Sequence, residues 1–320
     1  MENEKKYQNK KQLRLNYEYI VILIFAVFFL VCLIAAPVFR SWRNFSNLLA
    51  QNAMYGLMAI GIGFVILIGR IDLSIASTAA FTGIFSATMF VEEQLFLGVV
   101  GGLIIGGLIG ALNGLIITKA KIIPFIATLG TQVIFRGLTL IITNGYPVYG
   151  IPKAYSFIGL GKIANVFPVC AAIWIVGLVI MQIVLKKTRF GQYIYAVGGN
   201  EKSAWLSGVN TDRVIILAYV LSGFFASLAG IILVLRVQLA NATAAEGYEL
   251  TAIASCVIGG IAMEGGKGNI VGTFFGAMMM GMIINIIQLT GISSYWEKAV
   301  TGLIILGAVG LTTFLNRRRK

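Results

Sequence analysis

The sequence predicts an all-α integral membrane protein with about ten transmembrane segments. Of its 320 residues, 58% are apolar and only 12% are charged, whereas an ordinary soluble domain has about 25% charged residues. Runs of about 20 apolar residues recur along the whole chain, and each is long enough to cross a hydrocarbon core of about 30 Å. The stretches between these runs are too short to form a large soluble domain.

Ten apolar segments can be marked in order. They cover residues 19–39, 48–69, 73–90, 95–117, 123–143, 166–185, 214–240, 250–263, 268–289 and 297–315. The first segment is longer than the core of a cleaved signal peptide, which is about 7–15 residues, so we expect it to be retained as a span. We therefore predict one polytopic membrane domain at 19–316, with an N-terminal tail at 1–18 and a basic C-terminal tail at 317–320.

The basic residues indicate the orientation of the chain. With the N-terminus inside, 18 Lys and Arg residues fall in inner loops and tails and 6 fall in outer loops, as the positive-inside rule requires. This predicts ten crossings with both termini in the cytoplasm. It also explains the net charge of +13 by membrane orientation, so nucleic acid is not an expected partner and the lipid bilayer is.

Segment eight, residues 250–263, is short enough to be either a span or a re-entrant helix inside the protein. It belongs to a stretch, 250–280, that resembles 60–85 in pattern: a short apolar run ending at glycine, a polar turn, then a helix of small residues. We expect these two stretches to run in opposite senses through the membrane. They would then form an inverted internal repeat, which is a common transporter design.

Segment four carries a glycine every four residues. These are Gly98, Gly102, Gly106, Gly110 and Gly114. Small residues at this spacing leave one helix face bare and let two membrane helices approach closely. We therefore predict that segment four packs through this face and lies in the middle of the bundle.

Several kinds of chemistry are excluded. The chain has no histidine, which removes His-based catalysis and most transition-metal sites. Cys32, Cys170 and Cys256 each lie inside an apolar run, so they are expected to be small buried side chains rather than a disulfide or a metal site. We predict no catalytic residue, bound metal or cofactor on this chain.

The stretch GRIDLSIAS, residues 69–77, places charge between two apolar segments. Arg70 is expected at the membrane surface, and Asp72 or Ser74 can cap the next helix. A carboxylate that caps a broken helix is also typical of a translocation pathway. Asp72 and Ser74 are therefore pathway candidates, with simple helix capping as the alternative.

A second charged stretch, AEGYELTAIAS at 245–255, begins the short segment eight on its outer side. Tyr248 fits an ordinary interface anchor, and Glu249 could face the pathway from a capped half-helix. Both are pathway candidates. Arg136 lies well inside segment five, where an arginine costs about 2.5–3.5 kcal/mol, so it must face protein or water, and the sequence does not name its partner.

The glycine-rich stretch GGIAMEGGKG, residues 259–268, is not a P-loop. Ile261 stands where the first glycine of that motif is required, and Gly268 stands where Ser or Thr must follow the lysine. We therefore expect a flexible cytoplasmic turn, and we expect ATP to be hydrolysed elsewhere.

Four stretches together resemble one protein family. GRIDLSIAS is similar to GGIDLSVGS of the sugar-type ABC importer permeases, and NGLIITKAKIIPFIATLGTQVIFRGLTLIITNG at 113–145 is similar to a second motif of that family. FGQYIYAVGGNEKSAWLSGVNTDRV at 190–214 and GYELTAIASCVIGG…GGKGNIVGT at 247–273 resemble two more, in the same order. From about residue 20 to its end, the chain thus resembles permeases for ribose, xylose, arabinose and galactosides.

The resemblance implies a permease subunit in a bacterial cytoplasmic (inner) membrane that moves a small sugar, most commonly a pentose such as ribose. It implies a second permease copy or a paralogue, a tandem-domain ATPase that uses ATP and Mg, and an extracytoplasmic sugar-binding protein. It also implies a coupling element that docks on the ATPase. That element would contain Gly198, Gly199, Asn200, Glu201, Ala204 and Gly208.

Departures from the family pattern leave the substrate open. Arg70 and Ala76 replace glycines, Thr251 replaces an aspartate, and Met263 and Glu264 replace a Leu-Ser pair. An autoinducer sugar, inositol or a nucleoside therefore remains an alternative substrate. An ion-coupled secondary transporter would need ionisable groups near the membrane centre. A membrane enzyme would need a histidine or an acid pair, which we do not find.

Overall fold

A computed structural model describes residues 19–34, 36–291, 293 and 295–317. The predicted N-terminal tail and the last three residues of the predicted C-terminal tail lie outside this range. Within it the regular secondary structure is helical apart from one short β-ribbon and one isolated bridge. The helices are α1 (Tyr19–Ile34), α2 (Trp42–Leu67), α3 (Ile75–Val91), α4 (Leu95–Thr118), α5 (Pro124–Thr143), α6 (Phe157–Leu160), α7 (Val169–Lys187), α8 (Arg189–Gly199), α9 (Glu201–Leu206), α10 (Thr211–Val237), α11 (Tyr248–Ile258), α12 (Ile270–Leu289) and α13 (Tyr295–Arg317).

The protein is an all-α membrane protein. Each predicted apolar segment overlaps one helix, and six helices in the described part of the chain are long and apolar enough to cross a membrane: α2, α4, α5, α7, α10 and α12. Helices α1, α3 and α11 are apolar but shorter. α2 begins six residues before the predicted segment because the Ser41 side chain caps it, accepting a hydrogen bond from the Asn44 N–H at 3.2 Å.

Helix α2 forms the centre of the molecule. Its apolar stretch is 94% buried, and it contacts α7, α10, α11 and α12. The prediction that segment four lies in the middle of the bundle is wrong, because only 28% of the apolar stretch of α4 is buried. The opposite face of α4, including Ile104 and Leu108, is exposed and available to lipid.

All five glycines of α4 are buried at helix contacts. Gly98 and Gly102 lie against α3, while Gly106, Gly110 and Gly114 lie against α10. A Cβ atom on Gly110 would lie 2.0 Å from the Tyr219 carbonyl oxygen, so the two backbones touch. This is the close approach that small-residue spacing permits in membrane helices.

Helices α2 and α11 run side by side in the same direction. The rings of Tyr55 and Tyr248 are 4.5 Å apart at one level, and the Cys256 thiol lies 3.3 Å from the Ala59 carbonyl oxygen further along. The end of α2 then meets the turn after α11. The two stretches proposed as an inverted pair, 60–85 and 250–280, therefore do not run in opposite senses, and that prediction is wrong.

The loop at 144–165, which the charge pattern predicts to lie outside, contains short regular elements. A 3₁₀ turn (Lys153–Ser156) leads into α6, followed by strands β1 (Lys162–Ile163) and β2 (Phe167–Pro168), which pair antiparallel. An isolated bridge joins Val148 to Ala240. The bridge ties this loop to the segment that leads into α11.

Candidate functional site

The longest polar loop of the sequence forms a helical hairpin, α8 and α9, which we call the inner hairpin (residues 189–208) after the side on which it is predicted to lie. Thr188 caps α8 by accepting a hydrogen bond from the Gly191 N–H at 3.3 Å. Asn200 caps α9 by accepting one from the Ser203 N–H at 2.8 Å. Gly208, with φ of +84°, ends the hairpin. The implied coupling residues thus include the cap of α9, its first residue and both flanking turns.

Two large apolar side chains on α9 are exposed. Trp205 is 63% exposed and Leu206 is 69% exposed, whereas Ala204 is buried and anchors the helix. Both lie outside the predicted spans, so the hydrocarbon core does not explain their exposure. Exposed apolar surface rimmed by polar residues marks an interaction site. Trp205 and Leu206 were not predicted from the sequence, and the available signal was the Ala-Trp-Leu run at 204–206.

The inner hairpin is joined by an ion pair to the break between α2 and α3. The Arg70 Nη2 atom lies 2.8 Å from the Glu201 Oε2 atom. The Arg70 side chain is only 15% exposed, while that of Glu201 is 48% exposed. A second ion pair, between Lys119 and Asp212 at 2.6 Å, lies nearby. Three of these residues, all but Lys119, help to line a cavity of about 280 Å³.

Asp72 and Ser74 lie in a closed network of hydrogen bonds. The Asp72 Oδ1 atom accepts bonds from the Ser74 N–H at 3.0 Å and from the Ser74 hydroxyl at 2.6 Å. The Asp72 Oδ2 atom accepts one from the Ser222 hydroxyl of α10 at 2.7 Å, and Asn113 of α4 donates to the Ser74 Oγ atom at 2.8 Å. Ser74 stands at the N-cap position of α3, but its side chain makes no cap bond.

The Asp72 side chain is 1% exposed. Burial raises the pKa of its carboxyl group above the ordinary value, and the hydrogen bonds from Ser74 and Ser222 oppose that rise. The Tyr219 hydroxyl also donates to the Ile71 carbonyl oxygen at 2.9 Å. The break between α2 and α3 is therefore held in place by α4 and α10.

Glu249 and Tyr248 lie at the start of α11, in what we call the outer cluster because α11 is predicted to begin on the outer side. Glu249 is 8% exposed. Its Oε2 atom accepts a hydrogen bond from the Gly247 N–H at 3.0 Å, and its Oε1 atom accepts one from Gln132 of α5 at 3.3 Å. Gln132 was not among the residues predicted from the sequence. It lies one helical turn before Arg136, so a polar stripe on α5 was the available signal.

The structure identifies the hydrogen-bond partners of Arg136. Its Nη1 atom donates to the carbonyl oxygen of Ala242, and to that of Ala244 at 3.0 Å. Both carbonyls belong to the segment that leads into α11. Helix α5 therefore holds the start of α11 through Gln132 and Arg136 together.

The four pathway candidates do not form one site. Tyr248 packs against Tyr55, whereas Asp72 follows the far end of α2 at Leu67. The twelve residues from Tyr55 to Leu67 span about 18 Å of helix at 1.5 Å per residue. The Tyr248–Glu249 pair therefore lies beside the middle of α2, and the Asp72–Ser74 pair lies just beyond its C-terminal end.

A multi-pass helical bundle with short, broken helices inside it and an exposed hairpin outside it is typical of a membrane transport permease. Comparison with known proteins specifies the class. A family described as "Branched-chain amino acid transport system / permease component" matches residues 44–309. No solved structure matches the chain.

Named relatives match almost the whole chain. It is 42% identical over 288 residues to the ribose import permease protein RbsC of Bacillus subtilis, covering 88% of this chain and 89% of the relative. It is 40% identical over 306 residues to the L-arabinose transport system permease protein AraH of Escherichia coli K12, covering 95% and 92%. It is 32% identical over 302 residues to the L-arabinose ABC transporter permease protein AraH of Azospirillum brasilense, covering 94% and 88%.

The chain belongs to this family of ABC importer permeases. The resemblance found in the sequence is confirmed. The protein is a transport subunit of the inner membrane and not an enzyme. A permease of this class works with an ATPase and a substrate-binding protein.

Proposed function

We propose that this permease imports a pentose such as ribose or a related monosaccharide. The observation that carries the proposal is the 40–42% identity to ribose and L-arabinose permeases over at least 86% of the chain. The family description names branched-chain amino acids, but the named relatives cited above move sugars. An autoinducer sugar, inositol or a nucleoside is the alternative because Arg70, Ala76 and Thr251 depart from the family motif.

Uptake measured in proteoliposomes tests the substrate. The permease is reconstituted with its ATPase and binding protein, and uptake of labelled ribose, arabinose and inositol is compared with ATP present. Ribose or arabinose uptake that depends on ATP supports the proposal. Uptake of inositol alone would contradict it.

The ATPase docks on the inner hairpin. ATP and Mg are used by the ATPase subunit itself, while this chain binds no cofactor. The supporting observation is that Trp205 and Leu206 are exposed beside the implied coupling residues. Those residues are Gly198, Gly199, Asn200, Glu201, Ala204 and Gly208. A protein surface that buries the apolar pair would explain why the chain keeps it on a polar loop.

Replacing the exposed pair tests this docking. Leu206→Ala combined with Trp205→Ala should remove most of the ATPase that copurifies with the permease, because exposed aromatic anchors dominate many interfaces. Leu108→Ala is the matched control, since Leu108 is 63% exposed but lies on the lipid face of α4. Equal ATPase recovery from both variants would contradict docking on α9.

The permease is a single domain at 19–316 that crosses the membrane ten times, with both termini inside. The relative directions of its helices support this number of crossings. Helix α12 runs opposite to α2: Gly63 lies near Ile270, and the Asn44 amide donates to the Asn285 amide oxygen at 3.1 Å. Helix α11, which runs with α2, has only eleven residues, about 16 Å. The segment before α11, which Arg136 holds, spans the rest of the membrane at this crossing.

The translocation path runs past the outer cluster, where Tyr248 and Glu249 offer an aromatic face and a carboxylate to a sugar. Asp72 and Ser74 shape the cytoplasmic part of the path by fixing the break between α2 and α3. A second permease copy or a paralogue supplies the other wall, and an extracytoplasmic sugar-binding protein delivers the substrate.

A further inference from the structure

Three turns of the chain meet at one carbonyl group, that of Leu67 at the end of α2. The Gly266 N–H, in the turn after α11, donates a hydrogen bond to the Leu67 oxygen at 2.8 Å. A Cβ atom on Gly198 of the inner hairpin would lie only 1.8 Å from the same oxygen. Three backbones separated widely in sequence therefore touch without side chains between them.

Other contacts tie the same three turns together. A Cβ atom on Gly265 would lie 2.6 Å from the Gly69 nitrogen and 2.9 Å from the Gly198 carbonyl oxygen. The Tyr195 hydroxyl donates to the Gly268 carbonyl oxygen at 2.7 Å. We call Gly69, Gly198, Gly265 and Gly266 the glycine junction.

The far end of the inner hairpin has no such contact. Gly208 has open space where a side chain would stand. The hairpin thus makes its close backbone contacts at its α8 end, while α9, anchored by Ala204, presents Trp205 and Leu206 outward. A force applied to α9 reaches the bundle at the glycine junction and through the Arg70–Glu201 ion pair.

We infer that the glycine junction is a rigid link that carries movement of the inner hairpin directly to the two turns after α2 and α11. The inference rests on the proposed docking of the ATPase. Direct backbone contacts have no rotamers to absorb a displacement, unlike side-chain contacts. Helices α2 and α11 then carry the movement about 18 Å to Tyr55 and Tyr248, where the outer cluster changes shape.

A single methyl group tests the close contact. In complexes purified with the ATPase bound, Gly198→Ala should lower sugar uptake per ATP hydrolysed about tenfold or more, because the added carbon separates the hairpin from Leu67. Gly107→Ala is the control, since a Cβ there meets only Val220, at 3.8 Å. Normal uptake per ATP in Gly198→Ala would overturn the inference.

A distance measurement keeps the inference testable if Gly198→Ala does not assemble. Spin labels are attached at Lys202→Cys on the hairpin and Lys267→Cys in the turn after α11, both exposed positions, in a background with the three natural cysteines replaced. The distance should be the same in nucleotide-free and ATP-bound complexes. A shift between these states would show that the junction bends, and would overturn the inference.

The docking proposal can fail separately. If deletion of residues 198–208 leaves the ATPase bound, docking on the inner hairpin is wrong, and uptake per ATP then has to be explained by another contact. If the deletion releases the ATPase but the label distance shifts, docking stands and only the rigid link is wrong.

Discussion

At the scale of single residues, Arg70 and Asp72 are two positions apart but serve different contacts. Arg70 reaches outward to Glu201 of the inner hairpin, while Asp72 turns inward to Ser74 and Ser222. The sequence predicted a charged break between helices here. It could not predict the partners, because Glu201 is 131 positions from Arg70 and Ser222 is 150 from Asp72.

Substitutions at Asp72 should separate hydrogen bonding from charge. Asp72→Ala leaves the buried hydroxyls of Ser74 and Ser222 without their acceptor, which costs about 1–3 kcal/mol per unpaired group. Asp72→Asn keeps an acceptor oxygen for Ser74 and should cost less. Thermal unfolding of the purified protein measures this, and an equal loss of Tm in both variants would contradict the network's role.

The raised pKa of Asp72 gives a pH dependence with a definite sign. The folded protein binds this proton more tightly than the unfolded chain, so the contribution to stability is greatest below the ordinary pKa of 3.8 and falls as pH rises through the raised folded value. The Tm of the wild type relative to Asp72→Asn should therefore fall as the pH rises above the ordinary pKa of 3.8. A flat or rising difference would contradict it.

At the scale of helices, the sequence predicted the long elements well. Lipid forces the chain to satisfy its backbone hydrogen bonds internally, so each long apolar run had to become a helix. It did not predict where the inner hairpin folds, because α8 and α9 are fixed by caps at Thr188 and Asn200 rather than by apolar length. It also placed α4 at the centre, because a glycine face shows close packing but not on how many sides.

The glycine face of α4 gives a prediction with an internal control. Gly110→Ala places a carbon 2.0 Å from the Tyr219 carbonyl oxygen, so α4 must move away from α10. Overpacking of this kind costs about 1–3 kcal/mol. Gly107→Ala on the same helix meets only one atom, at ordinary van der Waals distance, and should leave the unfolding temperature of the detergent-solubilised protein unchanged; equal shifts in the two variants would argue against the α4–α10 contact.

At the scale of the whole molecule, the error about 60–85 and 250–280 has a simple cause. Five crossings lie between segments two and eight, and a chain that alternates direction passes in the same sense through two segments separated by an odd number of crossings. The opposite senses were predicted from the similar residue patterns of the two stretches and not from this count. Their parallel arrangement brings both inner turns to the same place, and the glycine junction depends on that.

The alternating path of the chain predicts which residues face each side of the membrane. Cysteine introduced for Ser207, on the inner hairpin, should react with an impermeant maleimide only in inside-out vesicles. Cysteine introduced for Tyr146, which is 76% exposed in the outer loop, should react only in right-side-out vesicles. Background labelling should be low, because Cys32, Cys170 and Cys256 are all buried.

The same labels distinguish ten crossings from fewer. Residues 146 and 207 are separated by α7 in this structure, so a re-entrant α7 would place both labels on one side. Cysteine introduced for Lys298, at the start of α13, should react from the same side as Tyr146→Cys, because Lys298 pairs with Glu246 of the segment leading into α11 at 3.2 Å. Reaction of Lys298→Cys from the side of Ser207→Cys would mean that α11 does not cross, and the ten-crossing proposal would be wrong.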